Sequence, residues 1–212
     1  MSTYSDVKLG SNNVIGMAPP ILIAEIGCNH KGDMAIAKDM IRVSNDFCNV
    51  DYVKFQKRNN RELLSERQYM APHPVPENAY GATYGEHREA LEFSMTQHED
   101  LKELCDDLGI GYSCSVWDLS SLKDIMALEP DHIKIPSAMN THMALLKEMA
   151  EKYSGDMHVS LGMTTLAEEE AIIELFRSSG RLQDVVLYHC VSGYPVPVQD
   201  ICLLGIRRLV DL

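Results

Sequence analysis

Two lysines stand inside runs whose other residues read as buried strand. In Asp51-Tyr52-Val53-Lys54-Phe55-Gln56, the alternation of strand side chains puts Val53 and Phe55 on one side and Lys54 and Gln56 on the other. His132-Ile133-Lys134-Ile135-Pro136-Ser137 repeats the arrangement: Ile133 and Ile135 face helices, Lys134 points the other way, and Ser137 ends the strand. Glu25 interrupts the apolar Ile21-Leu22-Ile23-Ala24 in the same manner, and Ser160 lies within His158-Val159-Ser160-Leu161. A lysine within a parallel strand costs free energy unless an anion meets it. An internal ion pair such as Lys54 with Glu25, which would only fix strand packing, accounts for one lysine more easily than for two. Ligands of α/β folds bind at the carboxyl ends of the strands, so these groups would converge on one mouth suited to a small anionic substrate.

The other reactive residue types read as structural. Six cysteines (Cys28, Cys48, Cys105, Cys114, Cys190 and Cys202) are scattered singly, without a CxxC pair or the Cys/His spacing of a structural zinc site. They are expected to be reduced and mostly to fill the core, although Cys28 and Cys190 fall at strand ends. His30 follows the first strand, where it could orient a loop, and His142 and His189 have no partner at metal spacing, so no metal site is expected within the chain. Glu168-Glu169-Glu170 reads as a solvated face near a helix N-terminus, where the dipole favours acids, and Glu99-Asp100 reads likewise.

The elements that position these residues follow a repeating rhythm of short apolar run, helical stretch and short apolar run, the pattern of consecutive βα units. Strands are expected over residues 21–27, 51–57, 111–117, 132–136, 157–161 and 185–190. Helices are expected after Asp33 as N-cap, from Thr96 to Leu108-Gly109, near 120–128, 141–153 and 166–178, and over 200–212. Residues 58–92, with Pro72, Pro74, Pro76, Gly81 and Gly85, are too long for an ordinary βα connection and read as a functional loop or lid. Residues 7–15 suggest a hairpin around Gly10-Ser11-Asn12-Asn13, giving a lead-in of residues 1–20 before a single domain of 21–212. About six parallel strands mean either an open doubly wound sheet or a TIM (β/α)8 barrel that stops before its last two strands.

Composition narrows the function classes. The 212 residues are 45% hydrophobic and 24% charged, within the range of globular domains, which excludes disorder and collagen. Nineteen Lys and Arg against 31 Asp and Glu leave a net charge of −12, which argues against nucleic acid as a partner. Neither a membrane-spanning apolar run nor a signal-peptide core is present in the sequence, so a cytoplasmic protein is expected.

With these residues in view, the chain resembles the sialic acid synthase family, enzymes that condense phosphoenolpyruvate with an N-acyl amino sugar such as N-acetylmannosamine and release phosphate. The matching strings are Ala24-Glu25-Ile26-Gly27-Cys28-Asn29-His30, Val53-Lys54-Phe55-Gln56, Ile133-Lys134-Ile135-Pro136-Ser137, Ser160-Leu161-Gly162-Met163-Thr164-Thr165, and His189 through Pro197. They occur in the family's order and spacing, from about Ile21 to Leu209. The resemblance implies a TIM barrel in which Lys54 and Lys134, with hydroxyls of Ser115, Ser137 and Ser160, hold the phosphate and carboxylate of phosphoenolpyruvate. By the same comparison Glu25, Gln56 and Tyr194 face the amino sugar, Glu25 as a proton-transfer group.

The resemblance also implies a divalent metal, Mn2+ or Mg2+, that polarises the sugar aldehyde, and a homodimer in the full-length form. The family's metal-binding histidines lie on strands seven and eight, and its C-terminal antifreeze-like domain supplies an arginine to the neighbouring subunit. Neither is in this chain, so the metal's ligands are expected elsewhere and the chain alone is expected to be nearly inactive and prone to self-associate through open strand edges and an apolar interior. Two positions depart from the family. Met139 stands where an acid commonly contacts the sugar, and Ser192 stands where asparagine is frequent. The rival chemistries are a class I aldolase with a Schiff base on Lys54 or Lys134, a related deoxy-sugar phosphate synthase, and a fragment that binds phosphoenolpyruvate or another anion without turnover.

Overall fold

In the computed structural model, which describes residues 20–211, six strands form one parallel sheet in the order of the sequence. They are β1 (Ile23–Gly27), β2 (Tyr52–Lys57), β3 (Gly111–Val116), β4 (His132–Ile135), β5 (Asp156–Ser160) and β6 (Val185–Tyr188). A doubly wound sheet reverses its strand order at a switch point; this sheet never does, so it is an arc of a singly wound barrel. The outer edges of β1 and β6 carry no partner strand among the described residues, and the arc stays open. The expected hairpin over residues 7–15 lies outside the described residues.

Each crossover is helical. The helices α1 (Met34–Asp46), α5 (Met95–Leu108), α6 (Leu119–Met126), α7 (Met143–Lys152) and α8 (Leu166–Ser178) cover the sheet, and α9 (Leu204–Val210) follows β6. Their starts are fixed by side-chain caps. Asp33 Oδ1 accepts from the Ala35 and Ile36 amides at 2.7 and 3.2 Å, and Ser94/Gln97 and Thr165/Glu168 form reciprocal capping boxes. The Ser94 box starts α5 before the expected Thr96, because the cap is the serine that can reach the third amide. Gly109, at φ +74 in the left-handed region, ends α5 as the sequence implies.

Strand alternation sorts the residues into two layers. Val53, Phe55, Tyr112, Cys114, Val116, Ile133, Ile135, Met157 and Val159 are fully buried and share the core cluster with Ile41, Leu101, Leu122, Leu146 and Phe176 of the helices. The opposite face of the same strands carries Glu25, Lys54, Gln56, Ser113, Ser115, His132, Lys134, His158 and Ser160. The interior is therefore polar, where an apolar one was expected.

Residues 58–92 are folded rather than an open loop. They contain α2 (Asn60–Leu63), α3 (Glu66–Tyr69), a 3-10 turn at Pro76–Asn78 and α4 (Tyr84–Ala90). The insertion is closed at its base by Arg58 and Glu92: Arg58 Nε donates to Glu92 Oε1 at 2.6 Å and the Arg58 amide to Oε2 at 3.0 Å, both side chains about 90% buried. The buried carboxylate of Asp118, N-cap of α6, ties the same base down by accepting from the Asn59 amide at 2.7 Å. No helix among the described residues is long and apolar enough to cross a membrane.

Candidate active site

Register places the inner-face residues in two rows. Glu25 stands beside Lys54, Lys54 beside Ser113 and Ser113 beside His132. Nearer the carboxyl ends, Gln56 stands beside Ser115, Ser115 beside Lys134, and Lys134 beside His158.

Lys54 Nζ lies 2.7 Å from Glu25 Oε2, with the lysine side chain 11% exposed and the glutamate side chain 50% exposed. The internal ion pair weighed from the sequence thus exists. It leaves Lys134 with no hydrogen bond or ion pair to any described residue, and burial, reinforced by the nearby Lys54 charge, pushes the Lys134 ammonium below the ordinary lysine range. Between β1 and β2 the register shifts at Glu25/Gly27, and Gly27 takes φ +57, which a side chain would strain. A Cβ there would stand 3.2 Å from Gln56 Nε2 and 3.4 Å from Glu25 Oε1, so the two side chains flank this bulge together.

The hydroxyls gather at the ends of β4 and β5. The Gly162 amide donates to Ser137 Oγ at 3.2 Å. A Cβ on Gly162 would meet Ser192 Oγ at 2.6 Å and Ser137 Oγ at 2.7 Å, so glycine is required for the three segments to approach this closely. Ser115 and Ser160 are buried on the same inner face, and Met163, the residue after Gly162, holds a left-handed φ of +62 at the exposed rim. Tyr194 is not brought to this group: its side chain is fully exposed.

Sequence reasoning passed over several residues that shape the site. His132 and His158 stack at 4.0 Å between ring centroids, and the Tyr188 hydroxyl lies 2.8 Å from His158 Nδ1. Burial, aided by the Lys54 and Lys134 charges, lowers the His158 pKa to about 3, and burial with His158 beside it lowers that of His132 to about 2. Both rings are neutral, so they add no third cation beside the lysines. Their signal was available, since His132 and His158 have the same strand parity as Lys134 and Ser160. Asn140 is buried and Nδ2 donates to the Ser160 and Gly162 carbonyls at 2.8 and 2.9 Å. Arg58 Nη2 lies 2.8 Å from Cys28 Sγ, a partner from outside the strand pattern, yet burial outweighs that charge and raises the Cys28 pKa. Cys28 is therefore not an activated thiolate.

His30 does orient its loop: its buried ring accepts from the Gly32 amide at 3.0 Å and stacks on Phe93 at 4.1 Å. His142 caps α7. Glu169 departs from the solvated face expected of it: it is 6% exposed and ion-paired with Arg208 of α9. Among the described residues no three His, Cys, Asp or Glu side chains converge to hold a metal ion, so these residues do not fit a resident divalent metal.

An open parallel arc with lysines and hydroxyls at its carboxyl ends can bind a compact dianion, and comparison with known proteins agrees in fold. The N-acetylneuraminic acid synthetase of Leptospira borgpetersenii superimposes with a TM-score of 0.76 at 24% identity, covering 94% of this chain and 66% of that one. The N-acetylneuraminate-9-phosphate synthase of Drosophila melanogaster is 38% identical over 86% of this chain and 48% of its own length. The N,N'-diacetyllegionaminic acid synthase of Campylobacter jejuni is 30% identical over 92% of this chain and 58% of its own length. The chain thus spans about half the length of these curated relatives. The family model that matches residues 40–212 takes in five of the six strands and all the inner-face residues beyond Glu25, and on that match the chain belongs to the NeuB family.

Proposed function

We propose that this chain carries the phosphoenolpyruvate-holding part of a synthase that condenses phosphoenolpyruvate with an N-acyl amino sugar and releases phosphate. The observation that carries this reading is Lys134, a half-buried ammonium in ion-pair contact with no carboxylate among the described residues, the nearby Glu25 being paired with Lys54 instead, in a chain whose net charge is −12. An acidic protein that keeps an uncompensated cation beside a second lysine has a place for an anion.

In this reading Lys134 and Lys54 meet the phosphate and carboxylate, while Ser115, Ser137 and Ser160 donate hydroxyl hydrogens to the same oxygens. Charge-assisted bonds of this kind strengthen as negative charge gathers on the departing phosphate. In the same reading Glu25, which is paired with Lys54 and half exposed, moves a proton at the acceptor, and Gln56, which flanks the same bulge, orients the sugar. Met139 is half-buried and packs against the core, so the described residues put no acid at that position toward the sugar. The described residues supply anion-holding groups without a metal ligand set, so binding without efficient turnover is the expected behaviour of the chain alone.

The test is a calorimetric titration of phosphoenolpyruvate into the chain, followed by phosphate release with manganese and a panel of N-acyl amino sugars on this chain and on a longer product of the same gene. Saturable binding that disappears in Lys134→Met, with release confined to the longer product, supports the reading. No saturable binding ends it. A second reading, a Schiff-base aldolase, is favoured by the lowered Lys134 pKa, which leaves more free amine for carbonyl attack. Borohydride with a carbonyl substrate would trap an adduct on Lys134 in that case and none in the other.

A further inference from the structure

We infer that Asn140 is a positioning residue that sets the donor geometry of the anion site, an inference that rests on the function proposed above. Its carboxamide is 2% exposed, and both Nδ2 hydrogens are used: one on the Ser160 carbonyl at 2.8 Å, one on the Gly162 carbonyl at 2.9 Å. Two carbonyl acceptors require the NH2 end of the amide to face them, so the orientation is unambiguous. Asn140 belongs to the turn after β4, which begins with Ser137, while its two acceptors end β5. The side chain therefore bridges the ends of two neighbouring strands at the point where both deliver hydroxyls.

The consequence runs through Gly162. With the carbonyls of Ser160 and Gly162 held, the peptide unit between Leu161 and Gly162 is confined from both sides, and its amide donates to Ser137 Oγ at 3.2 Å. A hydroxyl oxygen that accepts one hydrogen bond is a better donor through its own hydrogen, and that hydrogen is turned away from the Gly162 amide. Asn140 thus fixes the backbone bearing Ser160, and through Gly162 it commits the Ser137 hydroxyl to donate toward a bound anion. Ser192, whose Oγ occupies the space a Gly162 side chain would need, is held by the same approach of strands.

The test compares Asn140→Ala and the milder Asn140→Ser, which keeps one short donor, with Ile172→Val, a core change in α8 away from the strand ends. Two quantities are read: hydrogen exchange of the Gly162 amide in the ligand-free chain, and the dissociation constant for phosphoenolpyruvate. Asn140→Ala should speed Gly162 exchange and weaken binding by about tenfold or more, the scale of one lost bond to a charged ligand, with Asn140→Ser in between. Ile172→Val should leave both unchanged. Wild-type binding in both Asn140 variants overturns the positioning role while the proposed function stands, and equal weakening by Ile172→Val overturns it as general destabilisation. Absence of binding in the wild-type chain removes the proposed function, and the role falls with it.

Discussion

Replacing Lys134 by methionine should weaken anion binding while leaving the fold as stable as before or more so. The substitution keeps the length of the aliphatic stem and its contacts, and Ile133 and Ile135, both fully buried on the opposite face, keep β4 in register. What is removed is an ammonium in contact with no carboxylate among the described residues, whose pKa burial and the nearby Lys54 charge lower by more than Glu25 raises it. Glu25 keeps Lys54 as its partner at 2.7 Å, so no charge is orphaned by the change. Replacing a buried charge with an apolar side chain of similar volume is commonly neutral or stabilising by about 1–4 kcal/mol. For a half-buried lysine the lower end applies, about 1 kcal/mol, which for a chain of this length raises Tm by about 2–4 °C.

The pH dependence gives an independent check. Because the folded-state pKa of Lys134 lies below its unfolded value, the unfolded chain binds more protons between the two, and stability rises with pH across that window. Below the folded pKa the penalty of the buried charge is felt in full. Lys134→Met should abolish this rise, so the variant's advantage in urea unfolding should be largest near neutral pH and shrink as pH approaches about 10. Truncating a charge that binds an oppositely charged group costs about 2–5 kcal/mol, a loss of roughly thirtyfold to several-thousandfold in phosphoenolpyruvate affinity. A variant that is clearly less stable than the parent at neutral pH, or that binds as tightly, would refute the argument, since either result means that Lys134 is already satisfied within the chain.

Four buried histidines should govern acid unfolding: His30 titrates at about 4, His98 and His158 at about 3 and His132 at about 2, each lowered chiefly by burial. The unfolded state binds the extra protons, so their contribution is present above about 6.5 and is lost as pH falls toward the folded values, each adding up to about 1.4 kcal/mol per pH unit; flat thermal melts between pH 6 and pH 4 would contradict this. Glu92→Gln leaves Arg58 buried against a neutral partner, and a loss of about 3–5 kcal/mol with faster proteolysis inside residues 58–92 is expected. Lys54→Met should cost less stability, because the abandoned Glu25 carboxylate is half exposed and can hydrate, and its effect should appear as weakened phosphoenolpyruvate binding by calorimetry. Arg208→Ala removes the partner of nearly buried Glu169 and should lower Tm through loosening of α9, measurable as faster amide exchange over residues 204–210.

The strand pattern was legible because each apolar run alternates cleanly enough to assign faces, and that alone separated Lys54 and Lys134 from the residues that pack on helices. Periodicity alone could not choose between an open doubly wound sheet and a barrel arc, since strand order depends on which pairs meet; the family resemblance chose the barrel, and the strand order agrees. Glu169 was misread for a related reason. Its neighbours are acidic and near a helix start, but its burial is set by Arg208, 39 positions later, brought over by α9. The folding of residues 58–92 was hidden by its prolines and glycines, while the Arg58 to Glu92 link that closes it spans 34 positions. Tyr194, taken into the site by resemblance, stands fully in solvent in this open arc.

The division between the two faces of the sheet has a consequence for how the chain tolerates change. The outer layer, where Phe55, Tyr112, Ile133 and Val159 meet the helices, is apolar and closed, and cavity formation there costs about 2–5 kcal/mol per large side chain. The inner layer holds two lysines, two neutral histidines stacked on each other alongside them, and several serines, an arrangement that in the case of Lys134 works against folding. Under the proposed function, stability and ligand binding are thus carried by side chains of opposite strand parity. Substitutions at odd-numbered β2 positions such as Val53 and Phe55 should unfold the chain without a selective effect on binding, and those at Lys54 or Gln56 should alter binding in a chain that still melts cooperatively. A variant of the outer layer that kept full stability yet lost phosphoenolpyruvate would break that separation, and with it the reason for placing the site on the inner face.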